Sequence, residues 1–394
     1  MSVSVTLLDV ILVLVILGFF GVGLARGIWI TLGGVVGFLI GASAAFFAIP
    51  VVAGWVPDPV WRVVAVIGAA IVLVVAGHAL GSAAGTEMQR MFKNPTLQRL
   101  GSLVGGVLNL VVAVVVISAL SFSVQAMGFP AVNQHMRQSA VLQTINGVMP
   151  EATESWFAQL RGTVMASDIP EIAQLLVPES SEAPETMDLT AAAEETAGAV
   201  ARITGTAHQC GQSQSGSGFA ITPTRVVTNA HVIAGVGEPS VELPGGQVVT
   251  GRAVYFNPNT DLALLAVDPV DVPSVDLGAP LDPGAPGFVM GYPAGGPFSA
   301  GSALVQARDV SEINSIYGGS PSTLEIYQVN ADVRQGNSGG PLVDTDGNVV
   351  GVIFARAMEG NAVGFAITAE AAGEVLTEPE GFVDTVSTGQ CVER

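Results

Sequence analysis

Four runs of almost uninterrupted apolar residues fill the first third of this chain, at about residues 5–25, 27–49, 63–84 and 103–124. Each reaches the roughly 20 residues that a helix needs to cross the hydrocarbon core of a bilayer. A cleavable leader fits poorly, because the N-terminus has no basic stretch and three further runs follow. The expectation is a bundle of four transmembrane helices over residues 1–130, with the lipid bilayer as its first partner.

Charge orients this bundle. Arg26 lies between the first two runs, and Arg90, Lys93 and Arg99 lie between the last two. Basic loops stay in the cytoplasm, so the N-terminus, the loop at Pro57-Asp58-Pro59 and everything beyond about residue 127 belong outside. That places a multi-pass protein in the cell (inner) membrane with its larger part extracytoplasmic, on the periplasmic side. Residues 131–394 carry 9 basic and 30 acidic side chains, a net of −21. Such a domain is soluble and repels polyanions, so no nucleic acid partner is expected.

Within the runs, Gly33, Gly37 and Gly41, and then Gly77, Gly81 and Gly85, repeat at four-residue spacing and allow helix backbones to approach closely. They serve packing inside the bundle or a homodimer through the same faces. Asp9 and His78 are the ionisable groups inside the runs, where a functional role has to be weighed against structural hydrogen bonding.

Residues 131–196 form a connector, first helix-compatible, as in Glu151-Ala-Thr-Glu-Ser-Trp-Phe-Ala-Gln-Leu160, then rich in Pro, Ser and Glu from Val177 to Glu185. The second piece reads as a disordered linker. Trp156, Phe157 and Leu160 form an amphipathic turn within the first.

From residue 197 to 394 the pattern changes to short β-rich segments separated by Gly and Pro, among them Gly218-Phe-Ala-Ile221, Leu262-Ala-Leu-Leu-Ala-Val267 and Val349-Val-Gly-Val-Ile-Phe354. Many short strands imply a sandwich or a barrel. Three ordered motifs lie among them. Thr228-Asn-Ala-His-Val232 offers a base, Asn259-Thr-Asp-Leu-Ala-Leu264 an acid flanked by apolar residues, and Val333-Arg-Gln-Gly-Asn-Ser-Gly-Gly-Pro-Leu342 a serine between glycines. His231, Asp261 and Ser338 thus follow one of the known chain orders of a catalytic triad. In that reading Ser338 attacks a carbonyl, His231 relays the proton and Asp261 fixes the imidazole tautomer. The tight turn at Gly336, Asn337 and Ser338 forms the oxyanion hole, whose backbone N–H donors face the developing charge.

With Ser215-Gly-Ser-Gly-Phe-Ala-Ile221 preceding them, these motifs resemble the trypsin-fold proteases of the bacterial HtrA type. The four-run block, more weakly, resembles the colicin V production family. The composite is similar to the actinobacterial membrane-anchored serine proteases linked to acid resistance. The resemblance implies an all-β chymotrypsin-like double β-barrel, protein or peptide substrates of the cell envelope, and a role in acid or oxidative stress. It places Asp332 at the base of the primary pocket, where a carboxylate favours Arg or Lys before the cut, and a solvent-facing Asp332 is the alternative. Ile353, Phe354, Ala355, Gly364 and Phe365 become the pocket's walls. The approximately 27 residues after Ile367 are too few for the peptide-binding PDZ module that many HtrA proteases carry.

Cys210 and Cys391 are the two cysteines. In an oxidising compartment they would close a disulfide across the domain, and two buried thiols are the alternative. No CxxC spacing occurs and the four histidines are scattered, so neither metal nor cofactor is expected. Arg202-Ile-Thr-Gly205 has the look of a zymogen cleavage site, but Asn337 stands where the pairing aspartate would be, so residues 199–206 are read as a first strand. Two rival readings remain: a membrane sensor or scaffold whose protease-like domain only binds peptides, and a secretion component that such a domain regulates.

Overall fold

The apolar runs fold as helices, and what interrupts them is glycine. In the computed structural model, which describes residues 6–55, 59–91, 95–125, 128–149, 169–172, 184, 186–210, 212–273, 275–319, 321–358 and 362–392, the chain forms two compact units. One comprises Met1–Leu120 and Ser139–Ile145, the other Ser121–Gln138 and Asn146–Arg394. The stretch 151–160, with its Trp156, Phe157 and Leu160, lies outside the described residues. So do Asp58, Lys93 and nearly all of the Val177 to Glu185 segment.

The first unit contains α1 (Leu7–Trp55), α2 (Pro59–Met91), most of α3 (Pro95–Gln125) and, beyond α4 (Pro130–Gln138) of the other unit, most of α5 (Ala140–Val148). Among the described residues three helices, not four, are long and apolar enough to cross a membrane. The expected first and second runs merge into α1, because only Arg26 separates them in hydropathy. The merged element is nonetheless broken at Gly27, whose φ of 77° and ψ of 173° no helix tolerates.

The two arms of α1 pack on different helices. Beyond the break, a Cβ added to Gly33 or Gly37 would strike the carbonyl oxygen of Gly81 or Gly77, so these small residues meet each other within one chain. Before the break, Gly23 lies against Gly105, and Asn109 Nδ2 donates to the Phe19 carbonyl at 3.1 Å. His78 hydrogen-bonds through Nδ1 to the Gly34 carbonyl at 3.1 Å. Asp9, 3% exposed, accepts from Thr6 N–H and hydroxyl at 2.7 Å each, from the Ser139 hydroxyl at 2.6 Å and from Val141 N–H at 3.0 Å. It caps α1 and ties that end to the start of α5, a structural role.

The second unit is built on two seven-stranded sheets. The first joins β2 (Val200–Ala207), β3 (Gln212–Thr222), β4 (Arg225–Thr228), β5 (Ser240–Glu242), β6 (Val248–Thr250), β7 (Arg252–Asn257) and β8 (Leu262–Ala266) in the order β6-β5-β2-β3-β4-β8-β7. The second comprises β1 (Glu171–Ile172), β9 (Pro286–Gly291), β10 (Ser299–Ile313), β11 (Ser322–Asn330), β12 (Pro341–Val343), β13 (Val349–Ala357) and β14 (Val363–Thr368). There β13 pairs with both β12 and β14, so the strands from β9 to β14 close into a hydrogen-bonded ring. The fold class is thus three apolar helices followed by a β-rich domain of two seven-stranded sheets. Alternation explains why β8 is apolar throughout: Leu262 and Leu264 enter the core around Phe219, Phe288 and Phe354, while Ala263 and Leu265 enter that around Ile203 and Val241.

Residues 121–138, split between bundle and connector in the sequence reading, belong to this β unit. The attachment is polar, which hides it from hydropathy. Asn133 Nδ2 donates to the Gln125 carbonyl at 3.1 Å, and Arg137 and Arg202 both pair with Glu242, itself 8% exposed. Arg202 also donates to the Gly295 carbonyl at 3.0 Å. Buried in β2, it presents no bond to a processing enzyme.

Candidate active site

Each of the three ordered motifs sits where a strand ends. His231 lies in the single helical turn α6 (Ala230–Ile233) directly after β4. Asp261 closes the β7–β8 connection, in which the Asn257 side chain accepts from Asn259 N–H at 2.9 Å and turns the chain. Asp261 then takes φ 52°, a left-handed conformation that only surrounding contacts hold in place for a residue with a Cβ. Its carbonyl receives Asn229 Nδ2 at 2.7 Å and Ala230 N–H at 3.2 Å. Its carboxylate is thereby fixed against His231, accepting the backbone N–H at 2.9 Å and bonding Nδ1 at 2.6 Å. With Nδ1 committed to the carboxylate, Nε2 is the nitrogen left for chemistry.

Ser338 stands in the β11–β12 connection, on a loop that two left-handed glycines make possible, Gly336 at φ 95° and Gly339 at φ 85°. A Cβ at Gly339 would collide with the Ser217 carbonyl and the Thr228 hydroxyl. Ser217, fully buried, pins the loop from the opposite sheet. Its N–H donates to the Ser338 carbonyl at 2.8 Å, and its hydroxyl donates to the Gly336 carbonyl at 2.6 Å while accepting from Tyr292 N–H at 2.8 Å.

The Gln335 carbonyl accepts from Ala294 N–H at 2.6 Å, and in a trans peptide the following N–H, that of Gly336, points the opposite way. Neither Gly336 N–H nor Ser338 N–H donates to another group among the described residues. These are the two donors an oxyanion requires. Asn337 is not a third, because its N–H is used on the Arg334 carbonyl at 3.0 Å. Ser338 Oγ is buried and makes no hydrogen bond, so the serine-to-histidine link is not closed.

His231, Asp261, Gly336 and Ser338 line one cavity of about 800 Å³ together with Gln335 and Phe354. The other expected wall residues stand behind it. Ile353 exchanges hydrogen bonds with the nucleophile loop, accepting from Gly339 N–H at 2.7 Å and donating to the Gly340 carbonyl at 2.9 Å. Ala355 and Phe365 are in the core, and Gly364 leaves space that the Val333 side chain fills. Asp332 is not at the base of this pocket. Its side chain is 65% exposed and paired with Arg334 at 2.6 Å. Cys210 and Cys391 are disulfide-bonded, and the neighbouring Val392 reaches the cavity. The supporting roles of Ser217 and Asn229 escaped the sequence reading although both stand inside quoted motifs, because nothing in a motif says which polar residue is buried.

Two protein families match parts of this chain. Residues 216–352 match the trypsin-like peptidase domain family, and residues 8–150 match the colicin V production protein family. Serine protease Rv3671c of Mycobacterium tuberculosis is 30% identical over 377 residues, 93% of either chain. The putative serine protease HhoB of Synechocystis is 32% identical over 41% of this chain and 39% of its own. A crystal structure of the Rv3671c protease in its active form is 35% identical and superimposes with a TM-score of 0.49, covering 56% of this chain and all of that one.

The fold and these matches define a serine endopeptidase of the trypsin-like class, carried on a membrane-anchoring block of apolar helices. Within that class, the chain belongs to the family of serine protease Rv3671c.

Proposed function

We propose that His231, Asp261 and Ser338 are the triad of this endopeptidase, acting outside the membrane on proteins or peptides of the cell envelope. The observation that carries the reading is the doubly bonded Asp261–His231 pair facing a serine loop with two uncommitted N–H donors. Ser338 Oγ attacks the scissile carbonyl carbon and His231 Nε2 takes its proton. Gly336 and Ser338 N–H hold the oxyanion, and His231 returns the proton to the leaving amine. Water then repeats the cycle on the acyl-serine.

Support for the finer architecture comes from the break at Gly27 and the different partners of the two arms of α1, which favour two crossings there and four in all. The two sheets are read as the two barrels of a chymotrypsin-like domain. Basic loops favour an extracytoplasmic, periplasmic position for that domain and a seat in the inner membrane. A part in surviving acid or oxidative stress rests on the family resemblance. With Asp332 turned to solvent and Phe354 lining the cleft, the residue preceding the cut is apolar rather than basic.

Fluorophosphonate labelling and cleavage of an unfolded protein, for the full chain with and without Ser338→Ala, test this. Both signals are expected to disappear in the variant. Labelling that survives Ser338→Ala would refute the assignment, and a folded protein that neither labels nor cleaves would favour a peptide-binding sensor. Faster cleavage after Arg than after Leu would restore the basic preference.

A further inference from the structure

Part of the connector lines the cleft. Beyond Ile353, past the end of β12, one edge of β13 is paired with β1, Glu171 lying opposite Arg356 and Ile172 opposite Ala357 in parallel register. Arg356 N–H donates to the Pro170 carbonyl at 3.1 Å and Met358 N–H to the Ile172 carbonyl at 3.3 Å. Arg356 Nη2 binds Glu171 Oε1 at 2.7 Å. Just upstream, Ile169 is 3% exposed and belongs to the same buried cluster as Val333, Ile353 and Ala366, and Ile353 is the residue that exchanges backbone hydrogen bonds with the nucleophile loop. Residues 169–172 line the cavity that holds His231 and Ser338.

An extended peptide that adds to a sheet edge uses these backbone donors for affinity and neighbouring pockets for its side chains. Segment 169–172 takes both. Its direction is reversed, however. A substrate leaves the pocket toward its own N-terminus along this edge, because its scissile carbonyl has to face Ser338. From Ile169 the chain leaves along the edge toward its C-terminus. The side of Ile169 turned to the nucleophile is then its amide nitrogen, and no acyl carbon of the pocket residue is offered for attack.

We propose that Ile169–Ile172 is an intramolecular, reverse-bound plug of the substrate cleft, which holds the endopeptidase in a resting state and yields when a substrate or an event in the connector displaces it. The inference rests on Ser338 being the nucleophile. Ser338 Oγ, buried without a hydrogen bond, accords with a resting state.

The test uses the full-length protein in lipid nanodiscs and a fluorogenic peptide with Val before the cut. Wild type is compared with Ile169→Asp, each with and without Ser338→Ala. A cleft free about one-tenth of the time reduces apparent affinity tenfold, so Ile169→Asp is expected to raise kcat/KM by about tenfold or more. Hydrogen exchange at the Arg356 and Met358 amides should accelerate in parallel, while Ile169→Asp combined with Ser338→Ala stays silent. Equal kcat/KM in wild type and Ile169→Asp, with Ser338→Ala inactive, would overturn the plug and leave the triad standing. No hydrolysis by any variant would overturn both. Should Ile169→Asp fail to fold, Ile169→Ala is expected to give a smaller rise in the same direction, and no rise would again overturn the plug.

Discussion

The Asp261 carboxylate takes two hydrogen bonds from one residue, the backbone N–H of His231 at 2.9 Å and its ring nitrogen at 2.6 Å. The first fixes the turn that carries the imidazole and the second fixes its tautomer. Asp261→Asn keeps the size but offers an amide that is able to donate to Nδ1, which stabilises the wrong tautomer. A fall in kcat of about 10,000-fold is expected, with little change in the thermal midpoint. Turnover within about tenfold of wild type would remove Asp261 from the triad.

Ser217 joins the two sheets at the nucleophile loop, through its N–H to Ser338 and its hydroxyl to Gly336 and Tyr292. Ser217→Ala leaves the Gly336 carbonyl and Tyr292 N–H without that partner in a buried place, at a cost of about 1–3 kcal/mol. The freed Gly336 peptide is expected to lose its aim at the oxyanion, so kcat falls while KM for a small peptide holds. Denaturant midpoints and steady-state kinetics separate the two effects. Lost stability with unchanged kcat would make Ser217 a fold residue only.

What the sequence made legible was chemistry confined to short motifs. Ser338, His231 and Asp261 each sit in a run whose glycines or apolar neighbours force the local geometry, and Asn337, standing where a pairing aspartate would be, leaves residues 199–206 to be read as a strand, which β2 is. Arg26 marks the boundary between the first two runs, one residue from the Gly27 break, but nothing in hydropathy says how the chain turns there. Between the two places open to Asp332, pocket base and solvent, the sequence could not choose, because the choice depends on the packing of Val333 beside Gly364. The docking of residues 121–138 through Asn133, Arg137 and Glu242, and the strand at Glu171–Ile172, depend on contacts more than 100 residues apart in sequence. Periodicity does not reach that far.

The Cys210–Cys391 disulfide closes a separation of 181 residues, and the segment before Cys391 is stitched to the turn after His231 by Gly235 N–H to the Thr388 carbonyl at 3.0 Å and by the Thr388 hydroxyl to the Val236 carbonyl at 2.9 Å. Freeing that tail restores entropy to the unfolded chain worth up to about 5 kcal/mol. Cys391→Ser should therefore lower the denaturation midpoint of the β unit, and a thiol reductant should do the same to wild type. A midpoint indifferent to both would show that the bonds around Gly235 suffice.

Glu380 carries an acid sensitivity at the far end of the domain. Burial raises the affinity of its carboxyl for a proton, but the hydroxyls of Thr222 and Thr224, each donating at 2.5 Å, and the charge of Arg225 outweigh it and hold the group below its ordinary 4.5. A depressed folded value means that the unfolded state binds the proton first as pH falls. The stabilisation is thus complete above 4.5 and disappears as pH drops through the lower folded value. At the turn Pro379–Gly381, Arg225 also donates to the Pro379 carbonyl at 3.2 Å, so the loss is felt where the C-terminal segment is fastened to β4. Glu380→Gln should be less stable than wild type at about pH 6 and equal to it once the pH has fallen well below the lowered folded value, where Glu380 is protonated in both states. Urea midpoints of both proteins across that window decide it, and a gap that stays constant with pH would show that Glu380 contributes by shape rather than by charge.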